Sequence, residues 1–414
     1  MENDIIFHID VNSAFLSWTA ADRLQKGDKV DLRQIPSIIG GDMTKRHGVV
    51  LAKSIPAKAY GIATGEPVAN AMRKCPSLVC AAPDHKMYSE KSHALMEYLM
   101  QICPEIEQVS IDECFMNYTP IRKNYASPES AAHIIKDTIR EKFGFTVNIG
   151  ISDRKVLAKM ASDFKKPDLV HTLYSREIRQ KMWPLPVSSL FMCGRSSAAA
   201  LHNLGIRTIG DLACTPVDIL EAHLKSHGRL LWEYANGKDS SGLFSEPAKA
   251  KGISHSLTLS ADVLSKEAAY KILLTLSEAV TGRLRSSAKL AGMVCTEIKY
   301  ATFRSVSHQC ILPTATASTK VVYETACRLF DELWDGSAVR LLGIRLSHFT
   351  APDEPVQMSL FDLSPSEKNA FGQAASEKKL VQLDKTLDHI RSRFGNNAIK
   401  RGSLLNSPDS SSSK

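Results

Sequence analysis

Two short apolar runs that each finish on acid set the problem this chain has to solve. Ile5-Ile6-Phe7-His8-Ile9 runs into Asp10, and Ser110-Ile111-Asp112-Glu113 closes a second stretch with adjacent carboxylates. The first run reads as a buried strand with Asp10 at its carboxyl end. Glu107 to Tyr118 reads as two short strands around a tight connection that carries Asp112 and Glu113. Three carboxylates converging from strand ends repel one another unless cations sit between them, so the pattern suits divalent metal and phosphate.

The residues around these acids read as alternating elements. Val11 to Trp18 starts a helix with Ser13 as its cap, and Ser127-Pro128-Glu129 opens another whose apolar face is Ile134, Ile135, Thr138, Ile139 and Phe143. Thr146 to Ser152 reads as a strand, and Arg154 to Phe164 as a basic helix stopped by Lys166-Pro167. The order strand, helix, strands, helix, strand, helix predicts an α+β sheet layer covered by helices on one face. Between the first two elements, Lys53 to Gly61 follows an apolar stretch with small residues and two lysines, a candidate phosphate-contacting segment.

A length of 414 residues implies two to four domains. Trp183-Pro184-Leu185-Pro186 marks one boundary. Beyond it, a helix from Ser196 to Leu204, the turn Gly205-Ile206-Arg207-Thr208-Ile209-Gly210 and helical segments from Asp211 to Leu224 form a helix-hairpin-helix pattern. Glycines there let backbone amides approach a DNA phosphate; a plain αα-hairpin in a core is the other reading. Asn236 to Lys251 reads as a linker, and about 251 to 350 mixes strands such as Val294 to Tyr300 with helices at 265 to 287 and 318 to 334. Arg283, Arg285, Lys289, Lys299 and Arg304 there fit a solvated face as well as a nucleic-acid footprint.

Net charge is +8, which fits a polyanionic partner without requiring one. The nine cysteines form no C-x-x-C pair and read as reduced thiols. An acidic start and no apolar run near eighteen residues argue against secretion and membrane spanning, so the expectation is a cytoplasmic protein with no membrane partner. In the tail, Leu360 and Phe361 of Gln357-Met358-Ser359-Leu360-Phe361 are large apolar residues in a polar setting and call for a partner surface. Leu380, Leu383, Leu387 and Ile390 stripe a helix whose Arg391, Arg393, Lys400 and Arg401 suit a partner or plain solvation; Ser407 to Lys414 reads as disordered.

Taken together, Ile9-Asp10-Val11-Asn12-Ser13-Ala14-Phe15, Ser110-Ile111-Asp112-Glu113, Gly150-Ile151-Ser152 followed by Lys155, Ala158 and Lys159, then Lys166-Pro167 and the helix-hairpin-helix resemble the Y-family translesion DNA polymerases. The resemblance lies near the bacterial DNA polymerase IV branch and covers about residues 5 to 350 plus the tail peptide. It implies an α+β multidomain right hand. A ferredoxin-like palm would span 1–13 and 84–173, small fingers 14–83, and a helix-hairpin-helix thumb 174–237. A linker at 238–250, an α/β little finger at 251–350 and a tail at 351–414 would follow. The implied function is error-prone, template-directed DNA synthesis in repair and damage tolerance; no segment looks like a proofreading exonuclease.

By the same resemblance, Asp10, Asp112, Glu113 and the Val11 carbonyl would hold two Mg2+ ions, with Asp10 and Asp112 bridging both and Glu113 serving the one nearest the primer. Phe15 would be the steric gate against a ribose 2′-hydroxyl. Ser54, Lys58, Ser110 and Lys166 would contact the deoxynucleoside triphosphate. Gly194, Gly205, Ile206, Thr208 and Gly210 would contact primer–template DNA, and Gln357, Leu360 and Phe361 a sliding clamp; the protein would act as a monomer. Three departures stand out: Ile55 where the family has tyrosine, Lys58 where it has arginine, and Cys193-Gly194 where it has two glycines. Lysine keeps the charge but loses the bidentate fork. Two other readings are another palm-fold enzyme, such as a nucleotidyl cyclase, and a noncatalytic DNA-binding scaffold.

Overall fold

Alternation along one strand decides what covers each side of the larger sheet of the first unit. In the computed structural model, which describes residues 4–41, 48–239, 250–352, 354, 368–395, 398–399 and 401–402, the chain divides into two units, Met1–Pro247 and Ala248–Lys414. The first unit runs β1 (Ile6–Val11), α1 (Ala14–Gln25), β2 (Ser37–Gly40), β3 (Val50–Lys53), α2 (Ile55–Ala59), α3 (Val68–Lys74), β4 (Val79–Ala81), α4 (His85–Ile102), β5 (Ile106–Gln108) and β6 (Glu113–Asn117). It continues through α5 (Pro128–Phe143), β7 (Val147–Ser152), α6 (Lys155–Ser162), β8 (Val170–Thr172), α7 (Ile178–Lys181), α8 (Arg195–Asn203), α9 (Ile209–Cys214), α10 (Val217–Leu224) and α11 (Ser226–Ala235).

The five-stranded sheet has the order β5-β6-β1-β7-β8, with β1 antiparallel to both neighbours. Successive side chains of a strand point to opposite faces. Phe7, Ile9 and Val11 accordingly join a core with Leu95 and Leu99 of α4 and Ile135 and Ile139 of α5. His8 and Asp10 point the other way, and that face is not open. A Cβ on Gly150 of β7 would meet the Ala158 carbonyl at 2.0 Å and the Ser162 nitrogen at 2.5 Å, so α6 lies directly on it. Helices therefore cover both faces of the sheet rather than one, because the missing side chain at Gly150 admits a helix beside the acids.

Local signals explain most element ends. The Ser127 hydroxyl accepts from Ser130 N, Pro128 takes the first helical position, and Gly144 at φ 73° closes α5. Ser13 behaves differently from expectation. It occupies the cap position of α1 at φ 47° and makes no side-chain capping bond, since the left-handed backbone turns its hydroxyl from the helix amides; Ser17 instead donates to Asn12 O at 2.5 Å. A smaller sheet of order β3-β2-β4 carries α2 and α3 with its own core at Ile38, Val50 and Val68. Val156, Leu157 and Met160 of α6 share a helical core with Ile178, Leu201, Leu212, Leu220 and Leu231.

The second unit contains β9 (Gly252–Val263), α12 (Lys266–Ser286), β10 (Leu290–Tyr300), β11 (Ser305–Thr316), α13 (Thr319–Leu333), β12 (Val339–Thr350) and α14 (Lys368–Phe394). Its antiparallel sheet has the order β11-β10-β12-β9, and Leu273, Val280 and Phe330 of α12 and α13 pack on Val294, Ile298, Leu342 and Ile344. Arg285 on α12 is 7% exposed and bonds Asp388 of α14 at 2.6 Å and Asp384 at 3.5 Å. Arg391 and Arg401 both meet Glu278.

This arrangement revises two expectations. Leu383, placed in the apolar stripe, is 51% exposed while Asp384 beside it is buried, because the buried Arg285 guanidinium needs a countercharge. Arg285 is thereby removed from the solvent-facing basic run, and Arg391 and Arg401 are engaged by Glu278. The peptide Gln357 to Phe361, Lys400 and the segment Ser407 to Lys414 lie outside the described residues. Among the described residues no helix is long and apolar enough to cross a membrane.

Candidate active site

Register brings the acids together. Asp10 of β1 pairs with Glu113 of β6, and Val11 N donates to Asp112 O at 3.0 Å, so the three acids lie at one end of two adjacent strands. α6 and the turn after it then place ammonium groups beside them. Lys159 Nζ lies 2.5 Å from Glu113 Oε2 and 3.3 Å from Asp10 Oδ2; Lys166 Nζ lies 3.0 Å from Asp10 Oδ1 and 2.8 Å from Asp163 Oδ1. Burial works to lower both ammonium groups, but the neighbouring acids win and raise them above the ordinary lysine value.

His8 stands on the same face as Asp10. Its Nδ1 is 2.9 Å from Ser162 Oγ, and that hydroxyl itself donates to Lys159 O. Burial lowers the imidazole below its ordinary value. Nε2 faces Glu113 Oε2 at 3.4 Å. His8 and Lys159 together hold the Glu113 carboxyl down at about 2, with burial opposing them. Cys114, next in sequence, is fully buried and pushed up to about 12, so it is no nucleophile at neutral pH.

Asp112 is turned toward its own loop, where Ser110 Oγ donates to Oδ1 at 2.6 Å. Among the described residues, no three His, Cys, Asp or Glu side chains are gathered closely enough to hold an ion as they stand. The site nevertheless fits hard divalent cations. Its donors are carboxylate oxygens, and two ammonium groups already occupy the positions where positive charge is needed.

Phe15, in the first turn of α1, is partly buried and stacks on Tyr88 with ring centroids 4.5 Å apart and planes 12° from parallel. Lys58 and Ile55 are exposed on α2, over the three-stranded sheet. Ser54 is buried, and its hydroxyl donates to Ile35 O while accepting from Ser37 N and Ala57 N. A hydroxyl so engaged has nothing left for a phosphate, which differs from the contact expected of it.

The hairpin amides also differ from expectation. Gly205 N and Ile206 N donate to His202 O and Leu201 O, Ile209 N to Leu185 O, and Gly210 N to Trp183 O. Arg207 N and Thr208 N both donate to Asp211 Oδ2. Each N–H from Gly205 to Gly210 therefore already has an acceptor inside the fold. Gly194 caps α8, and a Cβ there would meet open space.

A family model described as impB/mucB/samB matches residues 9–163, and its C-terminal-domain model matches residues 250–360. DNA polymerase IV of Clostridium acetobutylicum is 46% identical over 401 residues, spanning 97% of this chain and 98% of its own. The chain belongs to the DNA polymerase IV family. DNA polymerase IV 2 of Bacillus subtilis is 33% identical over 413 residues, spanning 98% of this chain and 95% of its own. A solved Y-family DNA polymerase chimera matches with a TM-score of 0.71 at 22% identity, covering 84% of this chain and 99% of that one, and shares the fold.

In this DNA polymerase IV family member, the feature that sequence reading passed over is the lysine pairing. The signal was available: Lys155 and Lys159 stand four residues apart on α6, a spacing that puts both on one face. They meet Glu107 and Glu113 respectively. His8 carried no such signal, since a histidine inside an apolar run reads as core.

Proposed function

We propose that this chain extends a primer 3′-end on a DNA template with two Mg2+ ions held by Asp10, Asp112 and Glu113. Membership of the DNA polymerase IV family makes it a DNA-directed DNA polymerase of the error-prone translesion type, dependent on divalent metal and acting on primer–template DNA and deoxynucleoside triphosphates. The observation that carries the reading is the set of three strand-end acids with Lys159 between Asp10 and Glu113 and Lys166 beside Asp10. When bound, the ions supply charge neutralisation for the attacking hydroxyl and the leaving pyrophosphate.

The chain's own residues do the rest. Lys166 presents an ammonium beside Asp10 for the triphosphate, and Lys58 offers a second from the fingers. Lys159 keeps Asp10 and Glu113 from repelling each other. Ser110 orients Asp112, and Phe15, held flat by Tyr88, fills the space a ribose 2′-hydroxyl would need. The Val11 carbonyl adds a neutral oxygen beside Asp10. The palm comprises 1–13 and 84–173, the fingers 14–83, the thumb 174–237 and the little finger 251–350. Gly194 at the start of α8 lets a phosphate approach.

Gln357, Leu360 and Phe361 dock a sliding clamp, with the two apolar residues as anchors. The protein works as a cytoplasmic monomer. Primer extension with Mg2+ tests the central claim: wild type extends and Asp112→Ala does not. Equal extension by both removes Asp112 from the chemistry, and no synthesis by either returns the noncatalytic scaffold.

A further inference from the structure

Asn148 lies on β7 opposite Asp10 in the β1–β7 register and is completely buried. A buried amide is tolerated when both donors and the acceptor oxygen find partners. Here they do. Nδ2 donates to Ser162 O at 3.0 Å and to Lys165 O at 2.7 Å; Oδ1 accepts from Asn12 Nδ2 at 3.1 Å and from Leu169 N at 3.3 Å. The partners fix the orientation, because backbone carbonyls only accept and a backbone N–H only donates.

Asn12 extends the grip. Its Oδ1 accepts from Asp168 N at 2.9 Å and from Thr146 Oγ1 at 3.0 Å. The two amides thus hold the chain at 162, 165, 168 and 169, on both sides of Lys166. Asp168 sits in the left-handed region at φ 62°, a conformation that the bond from its N–H to Asn12 helps to keep. A lysine has a long flexible stem, so its ammonium returns to one place only where its backbone is fixed.

We propose that Asn148 is a positioning residue for the incoming nucleotide: together with Asn12 it clamps the 162–169 turn so that Lys166 stands beside Asp10 ready for the triphosphate. The proposal rests on the reading of Lys166 as a triphosphate contact. It assigns a task to a polar pair that neither touches substrate nor holds metal. An acid at 148 would set a carboxylate oxygen against the carbonyls of Ser162 and Lys165, so the amide is needed there rather than any polar group.

Single-nucleotide incorporation by the full chain is measured for wild type, Asn148→Ser, Lys166→Ala and the double variant. Asn148→Ser is expected to raise KM for the nucleotide about fivefold or more, with a smaller fall in kcat, as loss of a charged contact does. The double variant is expected to match Lys166→Ala alone, since residues acting through one contact are not additive. An unchanged KM in Lys166→Ala overturns the Lys166 reading and the proposal with it. A raised KM there, with Asn148→Ser unchanged or with multiplied effects in the double variant, overturns the proposal alone. Should Asn148→Ser fail to fold by thermal melting, Asn12→Ser, which releases Asp168 from the same clamp, takes its place under the same criteria.

Discussion

Phe15 is held by a neighbour rather than by a cavity. Its stack on Tyr88 fixes the ring plane, and Thr19 Oγ1 lies 3.0 Å from the Tyr88 hydroxyl behind it. In the steric-gate reading proposed above, a ring so fixed discriminates by shape. Phe15→Ala is expected to relax sugar selection on the order of tenfold or more, read as the ratio of ribonucleotide to deoxynucleotide incorporation. Glu113 gives a second prediction. Its folded pKa of about 2 lies below the ordinary 4.5, so it contributes stability present above pH 4.5 and lost as pH falls through 2. The stability difference between wild type and Glu113→Gln should therefore shrink as pH falls from about 4.5 to about 2, measured by denaturant unfolding.

Gly150 shows what an element demands of one residue. Any Cβ there strikes the backbone of α6, so Gly150→Ala should cost roughly 3 kcal/mol and lower the Tm of the first unit's transition by roughly 6–10 °C. Asp384 plays the corresponding part for α14. Asp384→Ala leaves Arg285 without one of its buried countercharges and should cost about 3 kcal/mol of helix docking, seen as fast amide exchange over 379–394. Legibility follows the same line. Ser127-Pro128 announced α5 because caps and first-turn prolines act within a few residues. Ser13 misled because a hydroxyl caps only when its own backbone is extended. Asn148 was silent, since its partners lie as far as 136 residues away in sequence at Asn12. The stripe on α14 pointed to leucines, while the contact that holds it is an ion network whose other half lies on α12. The three acids were legible as a group because strand-end carboxylates are rare without cations; Lys159 between Asp10 and Glu113 and Lys166 beside Asp10 belong to a helix and the turn after it, which sequence alone does not set against the sheet.

At the scale of the molecule, the family models match both units, residues 9–163 in the first and 250–360 in the second. In the clamp reading proposed above, the tail peptide serves as a tether. Leu360→Ala combined with Phe361→Ala is expected to abolish clamp-stimulated synthesis while leaving distributive synthesis within about twofold, read by primer extension with and without clamp. Equal loss of both would remove the tether from the scheme. Within the first unit, α6 bridges the sheet and the helical layer. Gly150 holds one side against the sheet, and Val156, Leu157 and Met160 bind the other into the helical layer. At eight residues it is a stiff rod of about 12 Å, too short to bend. A shift of the helical layer against the sheet would therefore carry Lys159 with it, and with Lys159 the countercharge between Asp10 and Glu113.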